Sequence, residues 1–185
     1  LPPHGFCLVD VRTVPREKGV YGWWFTPDAL PVPHSEYATA RGLELLYVGI
    51  APRKPSLAGT ESNSRLRDGL TAHSMKDASR STLRLSLGVL LSDELGLTLG
   101  AYGGRLNWGP ASEEKLTRWM LGHARISWVI DDAPWVIEKE LLASISLALN
   151  LDGRTDGFAM SLSERRQRFR RDARASAMAP SKNGT

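Results

Sequence analysis

The sequence predicts an α/β protein, of the α+β kind, in which a few short strands are wrapped by helices. Two runs point to strands. Gly19-Val20-Tyr21-Gly22-Trp23-Trp24-Phe25 and Leu45-Leu46-Tyr47-Val48-Gly49-Ile50 are rich in branched and aromatic residues, and each sets one tyrosine beside glycine. A third observation points to helices: from Ser64 onward leucines recur at spacings of three and four, the period of a helix with one buried face. With 185 residues, 42% hydrophobic and 24% charged, the chain suits one domain around one core.

Residues 1–18 mix prolines with an apolar run, Phe6 to Val11, that reads as an extra strand or an arm. Val20 to Phe25 is the first strand. Pro27, Pro31 and Pro33 then open a loop, because proline fixes φ and lacks a donor N–H. Leu45 to Ile50 is the second strand, expected antiparallel to the first because a proline-rich connection offers no crossover helix. Two phenols at the same end of adjacent strands would make a small polar site. Pro52 to Ser64 reads as a surface loop.

A helix starts at Ser64, with Leu66, Leu70 and His73 on one face. Gly69 shares that face, where glycine costs roughly 0.5–1 kcal/mol relative to alanine, so its presence needs a cause. Ser79 to Leu95 is a second helix, with Leu83, Leu87, Leu90 and Leu91 in its stripe, a serine N-cap near its start and Gly96 as its stop. Leu97 to Asn107 is short, glycine-rich and of ambiguous class. Ser112 reads as the N-cap of a helix carrying Leu116, Trp119 and Met120, with Glu113 and Glu114 well placed in its first turn. Arg125 to Ile130 returns to strand character.

Asp131-Asp132-Ala133-Pro134 signals another helix start, and Ile137, Leu141, Leu142 and Ile145 form the apolar face beyond it. Glu138 borders that face, whereas Glu140 sits about 200° around and should meet solvent. A carboxylate turned toward the interior needs a partner. The last helix runs from about Ser161 to Ala177 and docks through Leu162, Phe169 and Ala173.

Between Glu164 and Arg174 lie six arginines and two acids, which together equal the whole net charge of +4. Such a stripe either attracts a polyanion or is simply a solvated helix face. The one cysteine, Cys7, excludes an internal disulfide and a Cys-rich zinc site, and suits a reducing, cytoplasmic setting. No apolar run approaches the ~18 residues that span a bilayer, so no membrane association is expected. The chain opens on Leu1 rather than methionine, so its natural start is expected further upstream.

Taken together, a tyrosine on each of two strands, a histidine on the next helix, and a later helix glutamate followed by an asparagine resemble the GIY-YIG nuclease superfamily. Gly19-Val20-Tyr21 and Tyr47-Val48-Gly49 match its two tripeptides with valine for isoleucine, Leu66 to His73 resembles its catalytic helix, and Glu138 to Asn150 its closing pattern. Ser81-Thr82-Leu83-Arg84 is similar to a run in one bacterial branch. The resemblance covers residues 19–151, leaving 1–18 as an N-terminal arm or strand and 152–185 as a basic helical extension and tail.

This resemblance implies a three-stranded antiparallel sheet flanked by helices, acting as a metal-dependent phosphodiesterase on DNA, with RNA left open. It implies that Glu138 holds a divalent ion, Mg²⁺ or Mn²⁺, that Tyr21 or Tyr47 activates the attacking water, and that His73 relays the proton or positions the water. A lone carboxylate can suffice for Mg²⁺, which takes its other ligands from phosphate and water. A phenol with a pKa of about 10 needs nearby positive charge to act as a base. Nucleic-acid contacts are expected from Arg65, Arg67, Arg84 and Asn150, and from Arg165, Arg168 and Arg170 of the basic helix.

Two departures stand out. The family's helix carries an arginine four residues before the position of His73, and here that position is Gly69. Arg65 lies about 12 Å of helix rise from His73, and Arg67 points to another face. Ile50 and Ala51 follow the second tripeptide, where some relatives carry a lysine. Two readings remain: an endonuclease weakened or inactivated at Gly69 unless it recruits another arginine such as Arg84, and a non-catalytic nucleic-acid-binding module that keeps the fold.

Overall fold

The fold comes from a computed structural model that describes residues 10–35, 38–55, 62–75 and 77–178. Cys7 and most of the run from Phe6 to Val11 lie outside the described residues. At the described end of that run the chain makes a 3-10 turn, Val11–Thr13, instead of a strand, because the Asp10 carboxylate accepts from the Arg12 N–H and curls the backbone.

Strands β1 (Gly19–Phe25), β2 (Thr39–Ala40) and β3 (Leu43–Ala51) come first. Helices α1 (Leu66–Ser74), α2 (Thr82–Leu90) and the single turn α3 (Ser92–Leu95) follow. A hairpin of β4 (Gly100–Tyr102) and β5 (Arg105–Asn107) leads to α4 (Pro110–His123), β6 (Ala124–Ile130), α5 (Pro134–Ser144) and α6 (Gly157–Met178).

The main sheet is antiparallel in the order β2-β3-β1-β6, so it has four strands where three were expected. The addition comes from the proline-rich loop, which ends by pairing Thr39 with Glu44 and Ala40 with Leu43. The ambiguous stretch 97–107 holds the separate hairpin, turned by Gly103 and Gly104 at φ 57° and 73°. The expected helix from Ser79 to Leu95 is two helices: Ser81 caps α2 by accepting from the Arg84 N–H, and Gly96 ends α3 at φ 61°. Helix α4 begins at Pro110 rather than after Ser112, because proline at the first helical position has its φ preset and no N–H to satisfy.

The two faces of the sheet differ in cover. Tyr21, Trp23, Phe25 and Ile126 belong to the large core shared with α1, α2, α4 and α6, while Trp24, Leu45 and Val48 form a smaller cluster with Leu147. Helix α5 packs on β1 and β3 at that smaller face. It half-buries Ile137, Leu141 and Ile145, but Leu142 turns to solvent at 40% exposure, against its expected place in the apolar stripe. The cluster beneath is too narrow to cover a full helix face. Helix α6 buries Ala159, Leu162 and Ala173 in the large core and sets Phe169 edge-on against Trp108 at 5.7 Å, so the basic helix is part of the same packed body.

One ion pair ties the helices together. Arg84 is 1% exposed; its Nε donates to Glu113 Oε2 at 2.9 Å, and Nη2 donates to the Glu113 carbonyl and to Thr117 Oγ1. Nη1 points at the His73 and Ser74 carbonyls at 3.3 and 3.4 Å, so α1, α2 and α4 meet at one guanidinium. Removing one partner of a buried pair leaves the other charge uncompensated. Glu113→Ala should therefore lower the unfolding free energy by roughly 3–5 kcal/mol in urea. A loss below about 1 kcal/mol, the scale of an exposed pair, would show that the guanidinium does not depend on Glu113.

Candidate functional site

The register of β1 with β3 sets Tyr21 opposite Gly49 and Trp23 opposite Tyr47. Side chains alternate along a strand, so both phenols stand on one face, diagonal to each other. Helix α1 crosses that face and lowers His73 between them, with ring centroids 5.7 Å from Tyr21 and 5.3 Å from Tyr47.

Tyr21 is seated between two glycines. A Cβ at position 49 would lie 2.5 Å from the Tyr21 Oη, and one at position 69 would lie 2.9 Å from its Cε1. Both distances are too short for packed atoms, so the ring needs bare backbone on the opposite strand and on the helix above it. Gly69 thereby has its cause. An arginine cannot occupy position 69 while Tyr21 keeps this place.

The imidazole is held at both nitrogens. Nδ1 lies 2.7 Å from Ser81 Oγ and Nε2 lies 2.9 Å from the Tyr21 Oη. Burial, and secondarily the charge of Arg84, brings the His73 pKa down to about 4, so the ring is neutral at pH 7 and carries one proton. Ser81 Oγ already accepts the Arg84 N–H at 3.0 Å. Either tautomer leaves one hydroxyl proton without an acceptor among the described residues: that of Ser81 if Nδ1 carries the imidazole proton, that of Tyr21 if Nε2 carries it. The ring thus bridges the two hydroxyls in either protonation state of its nitrogens.

The two phenols are not equivalent. Burial pushes Tyr21 well above the ordinary phenol range, the charges of Tyr47 and Glu138 add to this, and Arg53 opposes it. Tyr47 is raised by burial too, but a hydrogen bond with the Thr82 side chain acts the other way, as does Arg53 against Glu138 and Asp152. Tyr47 is also only half-buried. Glu138 is half-buried, with no hydrogen bond or ion pair among the described residues; burial raises its pKa first, Arg53 opposes, and Asp152 adds to the rise. Glu140 is exposed, as its place on the helix requires. Among the described residues no group of three or more His, Cys, Asp or Glu is placed to hold a metal.

Other expected contact residues lie elsewhere. Arg84 is buried and engaged in the ion pair, so it is not a phosphate contact. Arg67 donates to the Val14 and Arg12 carbonyls, and Arg65 precedes α1 with its side chain on the Ser64 carbonyl. Asn150 clamps one strand residue, accepting from the Val48 N–H at 2.8 Å and donating to its carbonyl at 2.9 Å, which occupies the amide expected to contact nucleic acid. Arg165 donates to the Val89 carbonyl, Arg168 lines an outward cleft with Glu164 and Arg171, and Arg170 lies beside Arg166. Sequence reasoning passed over Arg53, Asp152 and Arg166, whose loop and helix positions show no period pointing at the phenols. It also passed over Ser81 and Thr82 as organisers, although the run that contains them was a visible signal.

A mixed α/β body that sets two strand-borne phenols under a helix histidine, with a lone carboxylate nearby, belongs to the class of nuclease-type domains. The family model for the GIY-YIG catalytic domain matches residues 19–171, and the chain belongs to that family. The match runs past Leu151 and takes in most of α6. No curated protein and no solved structure matches the chain.

Two outcomes follow from this geometry. Gly69→Ala should lower the thermal unfolding midpoint, because overpacking against Tyr21, typically about 1–3 kcal/mol, outweighs alanine's helix advantage of roughly 0.5–1 kcal/mol. A raised midpoint would mean the ring has room. For His73, a folded pKa of about 4 lies below the ordinary 6.5. Its contribution to stability is complete above pH 6.5 and is lost as pH falls toward 4, by about 3 kcal/mol, a dependence that His73→Gln should lack.

Proposed function

We propose that this chain is a divalent-metal-dependent endonuclease that hydrolyses phosphodiester bonds in DNA, and that Gly69 is compatible with activity. The observation that carries this reading is the cluster itself: two phenols joined through His73, with the partnerless carboxylate of Glu138 acting electrostatically on both. A half-buried carboxylate with no hydrogen bond or ion pair among the described residues, and only the more distant charge of Arg53 to offset its burial, fits a divalent ion, since Mg²⁺ is commonly held by one or two carboxylates with phosphate and water completing its shell. Bound at Glu138, Mg²⁺ or Mn²⁺ would supply Lewis-acid polarisation of the phosphate and charge for the leaving oxygen.

The chain's own residues divide the remaining work. Tyr47 is the proton acceptor for the attacking water because it is the more accessible ring; burial raises its pKa, and Thr82 and Arg53 offset part of that rise. Tyr21 stays protonated and held at 2.9 Å from His73 Nε2; with the imidazole proton on Nε2 it would be free to offer its own proton to an oxygen of the water or the phosphate. His73 thus orients Tyr21 rather than relaying a proton. In the step itself Tyr47, having first lost its proton to solvent, takes a proton from water as the water oxygen bonds to phosphorus; one P–O ester bond breaks, and the departing oxygen takes up a proton from solvent.

The second reading, a binding module without turnover, is favoured by the missing arginine on α1 alone. Cleavage assays on mixed DNA forms with Mg²⁺ separate the two. Glu138→Gln should cut the rate by a factor on the order of 10²–10³, the scale of losing one charge-stabilising group, while leaving DNA binding in place. Equal cleavage by parent and variant under matched Mg²⁺ would sink the nuclease assignment to this site. Tight, salt-sensitive binding with no turnover by the parent would select the binding module.

A further inference from the structure

The helices nearest the phenols offer little free cation. Position 69 is closed by Tyr21, Arg84 is buried in its ion pair, and Arg67 is spent on carbonyls of the N-terminal segment. A phosphate approaching Tyr47 must therefore be met from other elements, and the exposed Arg53 after β3 supplies one charge there.

Helix α6 is placed to do so. Arg165 holds the Val89 carbonyl near the C-terminal end of α2, whereas one turn later Phe169 rests on Trp108, whose indole N–H points to the carbonyl of Arg84. The helix thus runs antiparallel to α2, toward the Ser81 and Thr82 end where the phenols stand. Its arginines fall on different sides. Arg165 is a docking residue and Arg168 faces the outward cleft. Arg166 and Arg170, one turn apart, are half-buried, and the charge of Arg166 is coupled to Tyr47, Asp152 and Arg170.

Among the described residues Arg166 has no hydrogen bond or ion pair; burial and Arg170 work against its charge, and the more weakly acting Asp152 and Tyr47 support it without outweighing them. A partly desolvated guanidinium with open donors is costly, and two like charges four residues apart add to that cost. An anion between them removes both penalties. A phosphodiester oxygen suits this best, since guanidinium forks match phosphate geometry. We propose that Arg166 and Arg170 form the phosphate-binding fork of this site, gripping a backbone phosphate of the nucleic acid beside Tyr47 from α6 in place of an arginine on α1. This rests on the nuclease reading for its substrate, but not for the existence of an anion site.

The test uses inorganic phosphate and DNA on the full chain. Titrating phosphate against matched sodium chloride should shift the NMR signals of the Arg166 and Arg170 Nε–H groups saturably, and leave Arg168 in place. In single-turnover cleavage at saturating DNA, Arg166→Gln should slow the step by about 10²-fold. Arg168→Gln should weaken binding at low salt and lower the salt slope by about 1, whereas Arg118→Gln, in an exposed pair with Glu114 on α4, should leave the saturated rate unchanged. Arg166→Lys, which keeps charge but loses the fork, should fall between parent and Arg166→Gln, with thermal melts verifying that all variants fold. Arginine signals that stay put under phosphate, or an Arg166→Gln rate equal to that of an active parent, overturn the fork. A parent that cuts no DNA while the signals still shift removes the nuclease reading and leaves the phosphate site standing.

Discussion

The packing of one phenol ring against two bare stretches of backbone is the constraint on which the site depends. Tyr21 can reach His73 only because Gly49 and Gly69 let strand and helix close on its ring. Without them α1 would stand further from the sheet, and the imidazole would lose its contact with both tyrosines. The helix gives up propensity at Gly69 and gains a phenol fixed in position. Close approach, rather than charge, explains the residue at 69.

The dipeptide Ser81-Thr82 joins this seat to the rest of the protein. Ser81 caps α2 and holds the far nitrogen of His73, while Thr82 reaches Tyr47. Two positions later Arg84 ties the end of α1 to α4 through Glu113. A short run of sequence thus sets a helix end, the seat of an imidazole and the stacking of three helices. Its energy is concentrated where desolvation is deepest, so disturbing the ion pair disturbs the active histidine.

Much of this was legible in the sequence where one residue serves one local purpose. Tyr21, Tyr47, His73 and Glu138 stood out because their order along alternating strands and helices resembles a known constellation, and Pro134 and Gly96 mark real helix ends. Polar residues that bind backbone across the fold were harder to place. Arg84, Asn150 and Arg165 looked like surface groups, since nothing local distinguishes an arginine that meets a carbonyl from one that meets solvent. Arg53 and Asp152 lie in loops without periodicity, and Arg166 differs from Arg165 and Arg168 only by its angle around α6. The short strand β2 escaped because two residues leave no alternating pattern to read.

The clamp by Asn150 has a consequence for how the sheet meets other chains. Strand β2 pairs only with the start of β3, and among the described residues no strand pairs with that side from Leu45 onward, although the Leu149 N–H takes the Leu46 carbonyl. A bare edge is a template for any extended segment. At Val48 both rungs of that template are already taken by an amide from a residue 102 positions away, which presents the donor and acceptor a neighbouring strand would bring. The backbone next to Tyr47 is therefore closed to strand addition, and the sheet ends there on a side-chain amide instead of on a row of rungs that another polypeptide could zip onto.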